Sequence, residues 1–78
     1  MLLDIEGTQL HGNVVEVIGR TEPGAAILVN GQPVANIGND GRFRHFTERL
    51  ERGSHRIVVI GQNRRGGFAQ KEVQIVVP

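Results

Sequence analysis

The sequence contains no cysteine, no tryptophan and no tyrosine, and only three phenylalanines among its 78 residues. Without cysteine, disulfide bonds and thiolate chemistry are excluded. The fold must therefore depend on one apolar core, which at this length lies near the lower limit for independent folding. Long apolar runs are also missing, and the formal net charge is only +1. We therefore expect no membrane insertion and no strong overall attraction to nucleic acid.

Glycine, by contrast, is abundant, with 11 residues. Turn signals built on glycine recur about every 6 to 12 residues, an interval typical of short strands. Between them the apolar residues alternate with a period of two, which indicates strands with one buried face. We predict about seven short antiparallel strands, near residues 2–6, 13–20, 25–30, 33–37, 42–50, 55–62 and 68–77. So many half-buried strands favour two packed sheets, an all-β sandwich in a single domain spanning 1–78.

Two features predict local structure within this scheme. Asn30-Gly31 favours a tight hairpin because both residues accept positive φ, and Pro33 places the returning strand at a sheet edge because proline lacks an amide donor. The segment 42–50 is ambiguous, since its apolar residues fit helical spacing. We interpret it as a strand with a bulge that brings Phe43 to the same side as Phe46; a single helical turn is the alternative.

The alternation also predicts which side chains face inward. All three phenylalanines are expected to be needed in the core, because the chain has few other large apolar residues. The predicted core consists of Val15, Val17, Ile27, Val29, Val34, Phe43, Phe46, Leu50, Ile57, Val59, Val73, Ile75 and Val77.

Several segments carry a resemblance to a known family. The segment 19–25, Gly-Arg-Thr-Glu-Pro-Gly-Ala, is soon followed by Val29-Asn30-Gly31 and then by Asp40-Gly41-Arg42-Phe43. This pattern, continued by the later alternation, resembles bacterial immunoglobulin-like modules of the glucodextranase B-domain type over nearly the whole chain. The opening strand departs from that family in lacking a proline-rich start, and 44–49 is one residue longer than the usual pattern.

The resemblance implies an immunoglobulin-like sandwich of the kind found between other domains of extracytoplasmic bacterial proteins. Such modules are non-catalytic and lie in the periplasm, at the cell surface or in secreted proteins. Met1-Leu2-Leu3 meets Asp4 too early for a secretory leader. We therefore expect a single module excised from a larger protein, with its termini at opposite ends.

The residue types argue against an active site. The only serine, Ser54, is followed by His55, and adjacent strand residues point to opposite faces. The carboxylates are dispersed; Glu16 and Glu72, next to inward-facing valines, are expected to face water, and Asp40 is expected to cap its own turn. The three histidines show no metal-ligand spacing, although two of them, at 45 and 55, lie in segments that would allow an approach across strands. We predict no cofactor and no metal.

Sugar binding is the most serious small-ligand alternative. Such sites usually present exposed aromatic rings together with convergent polar groups. This chain has no tryptophan or tyrosine, and its phenylalanines are assigned to the core.

Charge is unevenly distributed along the chain. Residues 42–65 contain seven arginines and only two acidic residues, whereas the rest has two basic and six acidic side chains. Arginine pairs bidentately with carboxylate and phosphate, so an arginine-rich face is a candidate surface for an acidic polysaccharide or an acidic protein; a solvated face that discourages aggregation is the simpler alternative. The candidate partner-binding residues are Arg42, Arg44, Arg56, Arg64 and Arg65, with 64–67 the most projecting loop.

The sequence thus favours a structural spacer or interaction module that contacts neighbouring domains of its own polypeptide. A binding module that uses the arginines is the alternative. Nucleic acid is not an expected partner, because aromatic side chains are not interleaved with the arginines.

Overall fold

The computed structural model describes all 78 residues and contains seven β-strands. The strands are β1 (Leu3–His11), β2 (Val14–Thr21), β3 (Ala26–Val29), β4 (Gln32–Pro33), β5 (Arg42–Phe46), β6 (Gly53–Gln62) and β7 (Phe68–Val77). They form a three-stranded sheet in the order β1-β2-β5 and a four-stranded sheet in the order β4-β3-β6-β7. All pairings are antiparallel, which confirms the prediction of an all-β chain with two sheets. No helix is long and apolar enough to cross a membrane.

The core lies between the two sheets and consists mainly of the alternating aliphatic residues of the central strands. Of the predicted core residues, nine are buried: Val15, Val17, Ile27, Val29, Val34, Phe43, Ile57, Val59 and Val77. Leu50, Val73 and Ile75 are partly buried against this cluster. Leu3 and Ala25, which were not predicted, are buried as well.

The prediction that all three phenylalanines fill the core is wrong. β2 and β5 pair in unbroken register, with Phe43 opposite Gly19 and Phe46 opposite Glu16. Since no bulge separates the two phenylalanines, their odd spacing puts them on opposite faces of the sheet. Phe46 is 52% exposed and Phe68 is 61% exposed. The register irregularity lies in β1 instead, between Ile5 and Gly7.

The ambiguous segment 42–50 forms neither one long strand nor a helical turn. Regular pairing ends at Phe46, and the following residues run beside β2 through isolated backbone bonds. The Thr47 amide donates to the Val15 carbonyl at 2.9 Å, and the Leu50 amide donates to the Asn13 carbonyl at 2.7 Å. Leu50 thereby reaches the margin of the core without belonging to a strand.

The β3–β4 hairpin forms as predicted. Asn30 and Gly31 both have positive φ, 49° and 80°, as a two-residue turn between twisted strands requires. Pro33 lies in the edge strand β4, where a missing amide donor breaks no ladder. After β4 the chain crosses to the other sheet, where Ile37 bridges Phe43 on the edge of β5 that faces away from β2. The Gly38 amide also donates to the Arg42 carbonyl at 2.8 Å.

The two chain ends lie at opposite poles of an elongated molecule of 39 × 19 × 18 Å. At one pole the Leu2 amide donates to Glu22 Oε1 at 3.2 Å, beside the loop that follows β2. At the other, Pro78 borders the same surface cleft as the β1–β2 turn at Gly12 and Asn13. β1 and β7 therefore each run from the first pole to the second.

Candidate functional site

The structure does not gather the five candidate arginines on one surface. Arg42 and Arg44 lie on the outer surface of the three-stranded sheet, because Phe43 between them points into the core. Arg56 lies on the outer surface of the four-stranded sheet, next to the inward-facing Ile57. Arg64 and Arg65 are exposed in the β6–β7 turn. The arginine-rich segment is thus divided between two opposite surfaces and one pole.

We call the outer surface of the three-stranded sheet the front face. Its most unusual feature is Glu16, on the central strand β2. Alternation correctly puts its side chain outside the core, but the expectation that it faces water is wrong, since Glu16 is only 5% exposed. Its neighbours cover it: Arg44 Nε lies 2.7 Å from Oε2 and His11 Nε2 lies 2.8 Å from Oε1.

The backbone register explains how these side chains reach Glu16. Arg44 is opposite Ile18 and His11 is opposite Val14, each two residues away from Glu16 along β2. Both side chains therefore extend along the sheet surface, from opposite directions, to reach the carboxylate of Glu16. His11 forms a hydrogen bond with Glu16 and Arg44 forms a salt bridge with it; hydrogen bonds that involve an ionised group are shorter and stronger than neutral ones. Glu16 thus fixes the direction of two side chains that would otherwise move freely in solvent.

Phe46 completes this group. It is directly opposite Glu16 in the register, and its ring centroid lies 6.0 Å from that of His11, with a tilt of 50° between the planes. His11 therefore contacts an acid on one side and an aromatic ring on the other. We call Glu16, His11, Arg44 and Phe46 the Glu16 cluster.

Next to the Glu16 cluster, two arginines face each other across the β2–β5 pair. Arg20 is directly opposite Arg42, an arrangement of like charges that destabilises a sheet. Arg42 has one acidic neighbour, Asp40, whose Oδ2 lies 3.8 Å from Nε, whereas Arg20 forms no salt bridge. Sequence reasoning missed Arg20 because it lies far from the arginine-rich segment. Only the pairing of β2 with β5 brings Arg20 next to Arg42.

Arg64 and Arg65 border a cleft of about 550 Å³ at the pole that holds the N-terminus, between the β2–β3 loop and the β6–β7 turn. The polar groups in this cleft mainly hold its two walls together. Glu22 Oε2 accepts from Asn63 Nδ2 at 3.3 Å, and Asn63 Oδ1 accepts from the amides of Arg65 and Gly67. Asn63 thus stabilises the β6–β7 turn.

The remaining candidates for chemistry are dispersed. His45 in β5 and His55 in β6 belong to different sheets, so they do not approach across neighbouring strands. No three His, Asp or Glu side chains are arranged to hold a metal ion. Asp40 caps its own turn as predicted, since its Oδ1 accepts from the Arg42 amide at 3.1 Å.

No family model, no curated protein and no solved structure matches this chain. The site must therefore be interpreted from its own geometry.

The pKa of His45, in β5, is lowered from its ordinary value. This residue is opposite the buried Val17 and points between the sheets, next to a cavity of about 110 Å³. Burial lowers the pKa of His45 below 6.5, because desolvation disfavours the charged ring. The neutral form is therefore the one that fits the fold.

We expect this burial to appear in the pH dependence of stability. Below pH 6.5 the unfolded state binds a proton that the folded state resists, so the free energy of unfolding should fall as the medium becomes more acidic. His45→Gln should weaken that fall, measured by urea denaturation at about pH 7.5 and about pH 5. His55→Gln, on the other sheet, is the matched control. An unchanged acid sensitivity in His45→Gln would contradict the assignment.

Proposed function

We propose that this chain is a non-catalytic, immunoglobulin-like spacer or interaction module within a larger extracytoplasmic bacterial protein. The extracytoplasmic location rests on the resemblance of the sequence segments alone. The fold and the placement of the chain ends support the structural role.

The distribution of strands supports the immunoglobulin-like assignment. Strands β1, β2 and β5 share one sheet and β3, β6 and β7 share the other, as the corresponding strands do in immunoglobulin sandwiches. The difference lies in β4, which pairs with β3 rather than with β5. Sandwiches of related architecture vary in this way without losing the common core.

The observation that carries the spacer role is the position of the two ends. A module inserted between two other domains must receive the chain at one pole and release it at the other. Here the ends lie at opposite poles along the 39 Å axis. The first and last strands are also paired along their length, β1 with β2 from Leu3 to His11 and β7 with β6 from Phe68 to Val77.

A stretching experiment tests this role directly. Force applied at the two ends acts along the strands, so many interstrand hydrogen bonds of β1 and β7 must break together. Because the chain has no cysteine, the double variant Leu2→Cys, Pro78→Cys provides unique handles. We expect one abrupt unfolding event that lengthens the 39 Å module by roughly 230 Å, the difference from a fully extended chain.

The matched control pulls on one pole only. Gly53 pairs with Val77 at the start of the β6–β7 ladder, so handles in Arg52→Cys, Pro78→Cys open that ladder from its end, one bond after another. We expect the first event at a clearly lower force than with the end-to-end handles. Equal forces in the two geometries, or gradual extension with no abrupt event from the end-to-end handles, would contradict a mechanical role for this arrangement.

A further inference from the structure

We propose that the front face binds a linear polysaccharide that carries carboxylate or sulfate groups. Arg20, Arg42 and Arg44 would contact the anionic groups, Phe46 would contact the face of a sugar ring, and Glu16 would act as a positioning residue for Arg44. This binding activity goes beyond the spacer role and is independent of it.

The first argument is the spacing of side chains along β5. Arg42, Arg44 and Phe46 occupy alternate positions, so all three project from the front face with about 6.8 Å between successive residues. Arg20 lies directly opposite Arg42 on the neighbouring strand, about 4.8 Å away in the pairing direction. The surface is therefore a row of cationic and aromatic groups along one strand, widened by a second cation. A linear polymer with repeated acidic groups fits such a row.

The second argument is the unfavourable pairing of Arg20 with Arg42. Two like charges in directly opposite positions reduce the stability of a sheet. Asp4 on β1 lies opposite Arg20 on its other side but forms no salt bridge with it, and Asp40 lies 3.8 Å from Arg42. An anionic group bound between the two guanidinium groups would relieve their repulsion, and the planar donors of arginine suit carboxylate and sulfate oxygens.

The third argument is that Glu16 already holds the Arg44 side chain in place before any ligand binds. Arg44 Nε is held by Glu16 Oε2 at 2.7 Å, which fixes the side chain while the terminal nitrogens stay free for a ligand. The side chain is 64% exposed, so a bound anion would still reach it. Fixing a flexible side chain before binding removes part of the entropy cost of association.

The fourth argument is the exposure of Phe46. A phenylalanine that is 52% exposed contributes little to the core, yet its ring lies beside that of His11, with the centroids 6.0 Å apart. A flat aromatic ring next to hydrogen-bond donors provides both an apolar contact surface and polar groups for orientation. The sequence-based argument against sugar binding assumed that all phenylalanines are buried, and that assumption is wrong.

The edge of β5 disfavours an added peptide strand as the ligand. The bridge from Ile37 to Phe43 and the bond from the Gly38 amide to the Arg42 carbonyl occupy the edge that faces away from β2. An acidic peptide therefore finds no free ladder beside Arg42 and Phe43, and strand addition needs one. Recognition beside Arg42 and Phe43 must therefore use side chains.

The test compares four polymers on the intact chain. Polygalacturonate supplies carboxylates on sugars, dextran sulfate supplies sulfates on sugars, unmodified dextran has no charge, and poly-L-glutamate supplies carboxylates without sugar rings. We expect saturable binding of at least one charged polysaccharide at physiological salt, with weaker binding of poly-L-glutamate and none of dextran. Which of the two polysaccharides binds more tightly distinguishes carboxylate from sulfate as the preferred group.

The decisive variants are a matched pair. Arg44→Gln and Arg56→Gln remove the same charge from side chains of similar exposure, 64% and 62%, each paired with one glutamate but on opposite surfaces. We expect Arg44→Gln to weaken binding about tenfold, the loss of roughly one good charge-assisted contact, and Arg56→Gln to change it less than about twofold. Phe46→Ala should weaken binding of the polysaccharide but not of poly-L-glutamate.

Glu16→Gln separates positioning from simple charge attraction. The substitution makes the front face more positive, so unspecific attraction would strengthen binding, whereas loss of the Glu16–Arg44 contact would weaken it. We expect weaker binding. Far-ultraviolet circular dichroism checks that each variant keeps the β-strand spectrum of the unaltered chain. If Glu16→Gln fails to fold, Arg44→Gln decides the outcome. Equal losses in Arg44→Gln and Arg56→Gln, tighter binding in folded Glu16→Gln, equal affinity for poly-L-glutamate, or no saturable binding of either charged polysaccharide would overturn the proposal.

Discussion

Gly41→Ala should be among the most damaging single substitutions in this chain. Gly41 has a φ of +84°, which side-chain-bearing residues rarely adopt, and an added Cβ would lie 1.7 Å from the Thr21 carbonyl oxygen. The neighbouring atoms belong to backbone, so they cannot rotate away. We expect a loss of roughly 3 to 5 kcal/mol in the free energy of unfolding, from backbone strain plus overpacking, measured by urea denaturation.

Gly24→Ala provides the control for this prediction. Gly24 has the same φ of +84° but no atom within 4 Å of an added Cβ. It should therefore show the cost of backbone strain alone, about 1 to 2 kcal/mol. The difference between the two variants measures the clash with Thr21. Equal losses would mean that the approach of Gly41 to Thr21 is not as close as described.

The contact between Gly41 and Thr21 matters because it connects the residue before β5 to the N-terminal segment. The Thr21 amide donates to the Gly41 carbonyl at 2.8 Å, and Thr21 Oγ1 donates to the Leu2 carbonyl at 3.0 Å. Displacing Thr21 would thus disturb both the start of β5 and the pole at which the chain enters. The effect of Gly41→Ala should accordingly extend to the end-to-end unfolding force.

The sequence predicted the features that depend on local chemistry. Asn30-Gly31 turns where positive φ was expected, and most alternating aliphatic residues are buried because strand periodicity alone decides their side. The same reasoning failed between Phe43 and Phe46. The two side chains share a face only if a bulge adds one residue between them. Whether a bulge forms depends on the pairing with β2, which no local sequence pattern reveals.

The front face shows a second limit. Alternation gave the correct side for Glu16 but the wrong exposure, because burial there depends on Arg44 and His11 in two other strands. Likewise, Arg20 and Arg42 are 22 positions apart in the sequence and meet only through the β2–β5 register. The charge bias of residues 42–65 indicated a basic surface, but strand topology decides which arginines share it.

Ile57→Ala should be equally severe, for a different reason. Ile57 lies in β6 with 0% exposure, between the sheets and within the main apolar cluster, so its neighbours are already packed. Truncation to alanine at such a site costs about 2 to 5 kcal/mol, from lost burial plus the cavity. A small domain has a total stability of only about 5 to 15 kcal/mol, so the variant should melt at a clearly lower temperature than the unaltered chain.

Ile75→Ala is the matched control, since it makes the same truncation in the neighbouring strand β7. Ile75 packs against the core but is only partly buried, and β7 is an edge strand, so its neighbours can relax more easily. We expect a clearly smaller loss than for Ile57→Ala, with Ile57→Val costing about 0.5 to 1.5 kcal/mol as a test of volume dependence. All three are measured by urea and thermal denaturation. Equal losses at the two isoleucines would show that β7 is packed as tightly as the central strands, which would contradict the placement of the core on β2, β3 and β6.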